Sequence, residues 1–233
     1  MTKHDDTTPS CHFDLSRTAY IQAAKQLIRH MQAGDIYVAN LTQQIHVSSA
    51  LNPYSFFQKL RQYTPAPYSA YFNADSFQII SSSMEEFLRV KGQIAETKPI
   101  KGTRPRSQHP STDACLYQEL LHSPKEQSEL LMVTDMERND LNLVCCPGSV
   151  IANPRFSVDS YAALHQMSST IKGILKPECK IPDILKAMFP GGSITGAPRQ
   201  RAMELINKVE YSQRGFYTGI MGYISMSGNC EFN

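Results

Sequence analysis

A chain of 233 residues is long enough to bury a sizeable core. Its 41% hydrophobic and 19% charged residues are ordinary for a soluble globular protein, and a net charge of +2 is too small to announce a nucleic-acid surface. Cys11, Cys115, Cys145, Cys146, Cys179 and Cys230 contain no C-x-x-C pair, so reduced thiols in a cytoplasmic protein fit better than a disulfide scaffold or zinc site. The polar first ten residues lack the apolar core of a signal peptide, and no apolar run approaches a membrane span.

Residues 1–13 read as a disordered lead-in, and 14–233 as one domain. Asp14 or Ser16 caps a helix with Tyr20, Ala24, Leu27, Ile28 and Met31 along one face and Gly34 as its stop. Residues 36–47 alternate apolar and polar, which predicts a strand with one polar side. Pro53 opens a short helix holding Phe56, Phe57 and Leu60. A strand pair follows over 68–73 and 77–82, then a hairpin over 87–96 that leads into a turn carrying Lys101. Helices are expected over 113–121 and 124–140, strands over 148–156 and 163–175, and helices again over 181–188 and 198–209. A β-rich run over 216–226 ends the chain, with Gly228-Asn229 as its turn. No repeat or linker marks a boundary. Strands in neighbouring pairs with helices in blocks predict an α+β fold of mostly antiparallel sheets.

Three stretches could carry chemistry. The first is Lys98-Pro-Ile-Lys-Gly-Thr-Arg-Pro-Arg106, where three cations flank Lys101. Cationic neighbours and partial burial favour the neutral amine that a nucleophile needs; a solvated cationic surface is the alternative. The second is Phe189-Pro-Gly-Gly-Ser-Ile-Thr-Gly-Ala-Pro198, which runs into a helix. Its free N–H groups and the Ser193 and Thr195 hydroxyls suit a small anion, and Pro198 suits the first helical position; a plain helix-entry turn is the alternative. It is neither a Walker A loop nor a dinucleotide fingerprint. The third is the acidic helix: Glu126 and Glu129 share a face, with Val133, Glu137 and Asp140 near the same stripe. Such oxygens suit Mg²⁺, or else form a solvated side paired with Lys125 and Arg138. Among isolated side chains, Glu85 could return to Lys101 as an acid/base partner. A lone His165 reads first as structural and Tyr217 as a packing residue, though a phenol can hold a carboxylate.

Taken in order, Gly-Asp-Ile-Tyr-Val-Ala-Asn-Leu-Thr-Gln (34–43), Pro-Ile-Lys-Gly-Thr-Arg-Pro-Arg (99–106), the 125–141 helix, His165 with Ser168-Ser-Thr170, Pro-Gly-Gly-Ser-Ile-Thr-Gly-Ala-Pro (190–198) and Arg-Gly-Phe-Tyr-Thr-Gly-Ile-Met-Gly-Tyr (214–223) closely resemble the chorismate-utilising enzymes. The resemblance runs from about residue 14 to the last residue. It implies that family's fold, a β-sandwich core of large, mostly antiparallel sheets with helices outside. The Pro-Ile-Lys-Gly-Thr form is typical of the branch making 4-amino-4-deoxychorismate on the way to p-aminobenzoate and folate; the anthranilate branch, typically Pro-Ile-Ala-Gly-Thr, is the alternative. By resemblance, Lys101 is the nucleophile, Glu85 the acid/base group and His165 a histidine near the reacting carbons. Gly102, Thr103 and Tyr217 match substrate contacts, and the loop with Ser193, Thr195 and Gly196 lies against the same pocket. Glu129 matches a Mg²⁺ ligand, and ammonia would come from a glutamine amidotransferase subunit.

There are departures. Ser-Met-Glu-Glu-Phe (83–87) stands where Ser-Pro-Glu-Arg-Phe is usual, Ser128-Glu-Leu130 replaces the common Ala-Glu-His/Asn, and His165-Gln-Met replaces His-Leu-Val. The family pattern also continues beyond Asn233 into an Ile-Arg-Thr strand and a Glu that completes the metal site. The expectation is therefore an incomplete catalytic domain. As 233 residues it would bind Mg²⁺ and chorismate poorly and turn over little, or act as an inactive fragment.

Overall fold

The computed structural model describes residues 10–233. The chain divides into two compact units, one of Met1–Phe56 with Ile194–Gly219 and one of Phe57–Ser193 with Ile220–Asn233. The first is assembled from stretches remote in sequence, and no linker composition signals such a crossing.

In the first unit, Ser16 rather than Asp14 caps the Arg17–Gln32 helix, its hydroxyl accepting from the Ala19 N–H at 3.2 Å. Leu27 and Met31 pack against Ile36 and against Ala202 and Leu205 of the Arg199–Val209 helix. Ile28 turns to solvent instead. Pro198 is the N-cap of the second helix and not its first residue. The strand expected over 36–47 is broken into Val38–Ala39 and Ile45–Val47. Between them the backbone finds other partners. The Asn40 N–H donates to the Thr195 carbonyl at 2.9 Å and the Thr42 N–H to the Glu210 carboxylate at 2.8 Å, so no continuous ladder forms. Of the expected lead-in, residues 1–9 lie outside the described residues, while Cys11–Phe13 form a strand antiparallel to Ile45–Val47.

The second unit is built on a six-stranded antiparallel sheet in the order Gly222–Ile224, Cys230–Phe232, Glu86–Lys91, Ile94–Lys98, Ile171–Ile174, Ile151–Ala152. Leu88, Val90, Ala95 and Ile171 on one sheet face meet Leu141 and Val144 of the Pro124–Val144 helix and Ile184 and Met188 of the Ile181–Met188 helix. A three-stranded sheet, Ser157–Ser160, Leu164–Ser168, Ile100–Pro105, packs Met167 with Leu120 and Leu130 from the Pro110–Leu121 and Pro124–Val144 helices. Pro99 marks the passage between sheets, because it has no N–H to continue the ladder of Ile94–Lys98. Opposite it, the stretch 163–175 splits at Ser169 and Thr170, one half in each sheet, with the Ser169 N–H donating to the Pro99 carbonyl at 3.3 Å. Lys101 thus sits in a strand, not in a turn. The 216–226 run contributes only Gly222–Ile224, since turns close at Tyr217 and Gly219, whose N–H groups donate to Arg214 and Phe216. All six cysteines are unpaired, and the fold is the α+β arrangement of antiparallel sheets that the sequence predicts.

Candidate active site

Lys101 pairs with Met167 across the Ile100–Pro105 and Leu164–Ser168 strands, and the next pair is Thr103 with Gln166. Gly102 is the extra residue, a bulge that breaks the alternation beside the lysine. Its φ of +80° suits glycine, and an added Cβ would stand 3.0 Å from Glu126 and from Leu120. The expected cationic cluster is neutralised by carboxylates. Lys98 pairs with Asp159 at 2.8 Å, Arg104 with Glu119 at 2.8 Å, and Arg106 with Asp113 at 2.9 Å. Lys101, partly buried, makes one hydrogen bond instead, from Nζ to the Ser193 carbonyl at 3.2 Å.

Glu85 comes to the same place, as the sequence predicts. The Ser193 hydroxyl donates to Glu85 Oε1 at 2.5 Å. Burial pushes the Glu85 carboxyl above the usual carboxylate range, against the opposing pull of the Ser193 hydroxyl, the Lys101 charge and the Ile100 N–H. The structure therefore joins three predicted residues: Lys101, Glu85 and Ser193. An amine, a carboxyl with proton affinity above its norm and a hydroxyl are the parts of nucleophilic and acid–base chemistry.

His165 is different. It is 2% exposed, its Nδ1 meets the Ser160 hydroxyl at 2.8 Å, and its Nε2 meets Asp113 Oδ1 at 3.2 Å. Tyr117 packs edge-on against the ring at 5.6 Å between centroids. Asp113 in turn takes the Arg106 guanidinium and the Ser107 N–H, which hold its carboxyl well below the usual range. Both ring nitrogens are engaged, so this histidine is a fixed group.

The acidic helix does not present one stripe. At 100° per residue, Val133 and Glu137 each fall about 20° from Glu126, on opposite sides of it, while Glu129 is turned away from Glu126 by about 60°. Accordingly Glu126 lies against Gly102 and 3.6 Å from Arg104, and Glu137 is buried and accepts from the Thr97 hydroxyl at 2.6 Å. Glu129 keeps a side chain 44% exposed, 3.9 Å from Lys125. It is one solvent-facing carboxylate, an oxygen donor of the chemical type that Mg²⁺ takes. Among the described residues there is no group of three or more His, Cys, Asp or Glu able to hold a metal.

Thr195, Gly196 and Tyr217 belong to the first unit. Gly196 lies in the Gly196–Ala197 pairing with Val38–Ala39, where a Cβ would stand 2.2 Å from the Val38 carbonyl oxygen and 2.8 Å from Ala202. Close approach of two backbones accounts for this glycine. Thr195 is buried, and Tyr217, 62% exposed, lines a cleft of about 310 Å³ with Thr42, Gln43 and Arg214. Thr103 is exposed in its strand.

Sequence reasoning missed the residues that hold others in place. Arg214 binds Glu210 and the carbonyls of Asn40 and Ile194, tying the first unit's two stretches together. The four-residue Glu–Arg spacing was its signal. Asp113 and Ser160 gave none, because they meet His165 only through strand pairing and a helix packed over it.

A family model described as chorismate binding enzyme matches residues 2–233. The aminodeoxychorismate synthase of Streptomyces pristinaespiralis is 39% identical over 98% of this chain and 32% of its own length. The aminodeoxychorismate synthase component 1 of Bacillus subtilis (strain 168) is 36% identical over 98% of this chain and 48% of its own. The crystal structure of anthranilate synthase component I from Streptococcus pneumoniae TIGR4 matches with a TM-score of 0.88 at 29% identity, covering 96% of this chain and 49% of that one. The chain spans about half or less of each of these proteins.

Proposed function

We propose that this chain, which belongs to the chorismate binding enzyme family, carries the reaction centre that converts chorismate and ammonia to 4-amino-4-deoxychorismate, a precursor of p-aminobenzoate. The observation that carries the reading is the contact of Lys101, Ser193 and Glu85, an amine and an acid held beside one loop residue at 3.2 and 2.5 Å. The aminodeoxychorismate synthases among the relatives support the branch.

In this reading the Lys101 amine bonds to C2 of chorismate, the two conjugated ring double bonds each shift by one position, and the C4–O bond breaks. Glu85 protonates the departing hydroxyl, which leaves as water. Ammonia then bonds to C4, the double bond shifts back, and the C2–N bond breaks to return the lysine. The Glu85 carboxylate takes the proton released by the new ammonium, so the acid is restored. A carboxyl with raised proton affinity suits both duties. His165 is assigned no proton transfer, since both its nitrogens are engaged. Mg²⁺, held by Glu129 with water and substrate oxygens, would offset the charge of a substrate carboxylate. Ammonia supply by a glutamine amidotransferase subunit is supported by the component 1 name of the Bacillus subtilis relative. No helix among the described residues is long and apolar enough to cross a membrane, which accords with a cytoplasmic reaction.

A second reading, anthranilate formation, is favoured by the match to an anthranilate synthase at a TM-score of 0.88. Incubation with chorismate, ammonium and Mg²⁺, followed by product identification, separates them. 4-Amino-4-deoxychorismate, in low yield, is expected; anthranilate as the aminated product overturns the proposal.

A further inference from the structure

We infer that Ser193 is the positioning residue of this centre, coupling the acid to the amine through its hydroxyl and its carbonyl rather than binding substrate. The inference rests on the assignment of Lys101 and Glu85 above, but its geometry is independent of the substrate. The Ser193 hydroxyl donates to Glu85 Oε1 at 2.5 Å, which commits its one proton. The Ser193 carbonyl accepts from Lys101 Nζ at 3.2 Å.

Each contact has a consequence. A carbonyl oxygen only accepts, so Lys101 must present an N–H to it. In the neutral amine the N–H so engaged leaves the lone pair directed elsewhere than at Ser193. On the other side, a donated O–H stabilises the ionised carboxylate more than the neutral acid. The Ser193 hydroxyl therefore opposes the burial that raises the Glu85 proton affinity, and it fixes the oxygen it touches. The groups bearing on Glu85 are this hydroxyl, the Ile100 N–H and the Lys101 charge. Removing the hydroxyl leaves burial less opposed.

Ser193→Ala deletes the hydroxyl and keeps the carbonyl, while Ser193→Thr keeps both. The decisive measurement is the titration of the Glu85 carboxyl in ¹³C-glutamate-labelled protein, with the resonance assigned by Glu85→Gln. Ser193→Ala should raise the Glu85 midpoint by about one pH unit, as the loss of one hydrogen bond to a charged group predicts. Ser193→Thr should restore it. An unmoved midpoint in a folded Ser193→Ala protein overturns the inference, whatever the reaction proves to be. In the amination assay Ser193→Ala should lower kcat by about tenfold or more, with the acid limb of kcat moved upward and KM within about twofold. A raised KM with an unmoved limb would instead make Ser193 a substrate contact. Anthranilate as the product of the unsubstituted protein would refute the proposed function and leave the titration to decide on Ser193.

Discussion

Lys101 and His165 lie on paired strands, two rungs of the same ladder apart, yet they are built in opposite ways. Lys101 is partly buried and spends one donor on one carbonyl. His165 is sealed, with both nitrogens satisfied and its carboxylate partner held by an arginine and a backbone N–H. A group that must form and release a bond keeps unused valence. A group whose every polar atom is matched holds its neighbours still, and its removal damages the fold before it damages the chemistry.

Substitution of each tests this contrast. The largest effect is expected for Lys101→Ala: amination should fall by about a thousandfold or more, and the covalent lysine–substrate adduct should vanish from the intact mass. Stability should change little, because the loss is one hydrogen bond to the Ser193 carbonyl and the pull of the Lys101 charge on a single carboxyl. A persistent adduct would move the nucleophile elsewhere. His165→Ala should show the reverse order. It opens a cavity beside Tyr117 and leaves Ser160 and Asp113 without their ring partner, costing about 2–4 kcal/mol in chemical denaturation. Turnover of its folded fraction should fall less than in Lys101→Ala; equal loss with unchanged stability would erase the distinction.

The smallest expected effect is a pH signature with two signs. Asp113 is held below the usual carboxylate range by the Arg106 guanidinium, so its contribution to stability is present above the unfolded carboxylate range and is lost as pH falls through the folded value. Asp113→Asn should therefore flatten the acid side of a stability profile. Glu85 is raised by burial, so its contribution is present below the unfolded value and is lost as pH rises through the folded one. Glu85→Gln should accordingly raise the melting temperature at neutral pH relative to acid pH. Both slopes can be read from thermal melts across pH, and a Glu85→Gln profile parallel to the parent would contradict the buried acid.

What the sequence disclosed follows the range of the forces involved. The Ser16 cap and the apolar periodicity of the Arg17–Gln32 helix are local, and so was their recognition. Lys101 and Glu85 were legible because ordered motifs flank them. Their meeting at Ser193 was less so: the 190–198 loop looked like an anion cradle, whereas a contact spanning 108 residues commits its hydroxyl to a carboxyl. The strand over 36–47 misled because alternation reports side chains, and here distant backbone and carboxylate partners took the N–H groups. Glu129 and Glu126 seemed equivalent at a spacing of three, but the angular offset between them separates a solvent-facing carboxylate from one packed on Gly102.

Gly196 has a use outside this molecule. With a carbonyl oxygen 2.2 Å from where a side chain would begin, its position is closed to every other amino acid while the two short strands stay paired. It can serve as a fixed mark for threading remote sequences onto this fold. A candidate relative that places a bulkier residue there is either aligned out of step or has rebuilt the junction of helix and strand, and a search can discard the first kind before any function is assigned.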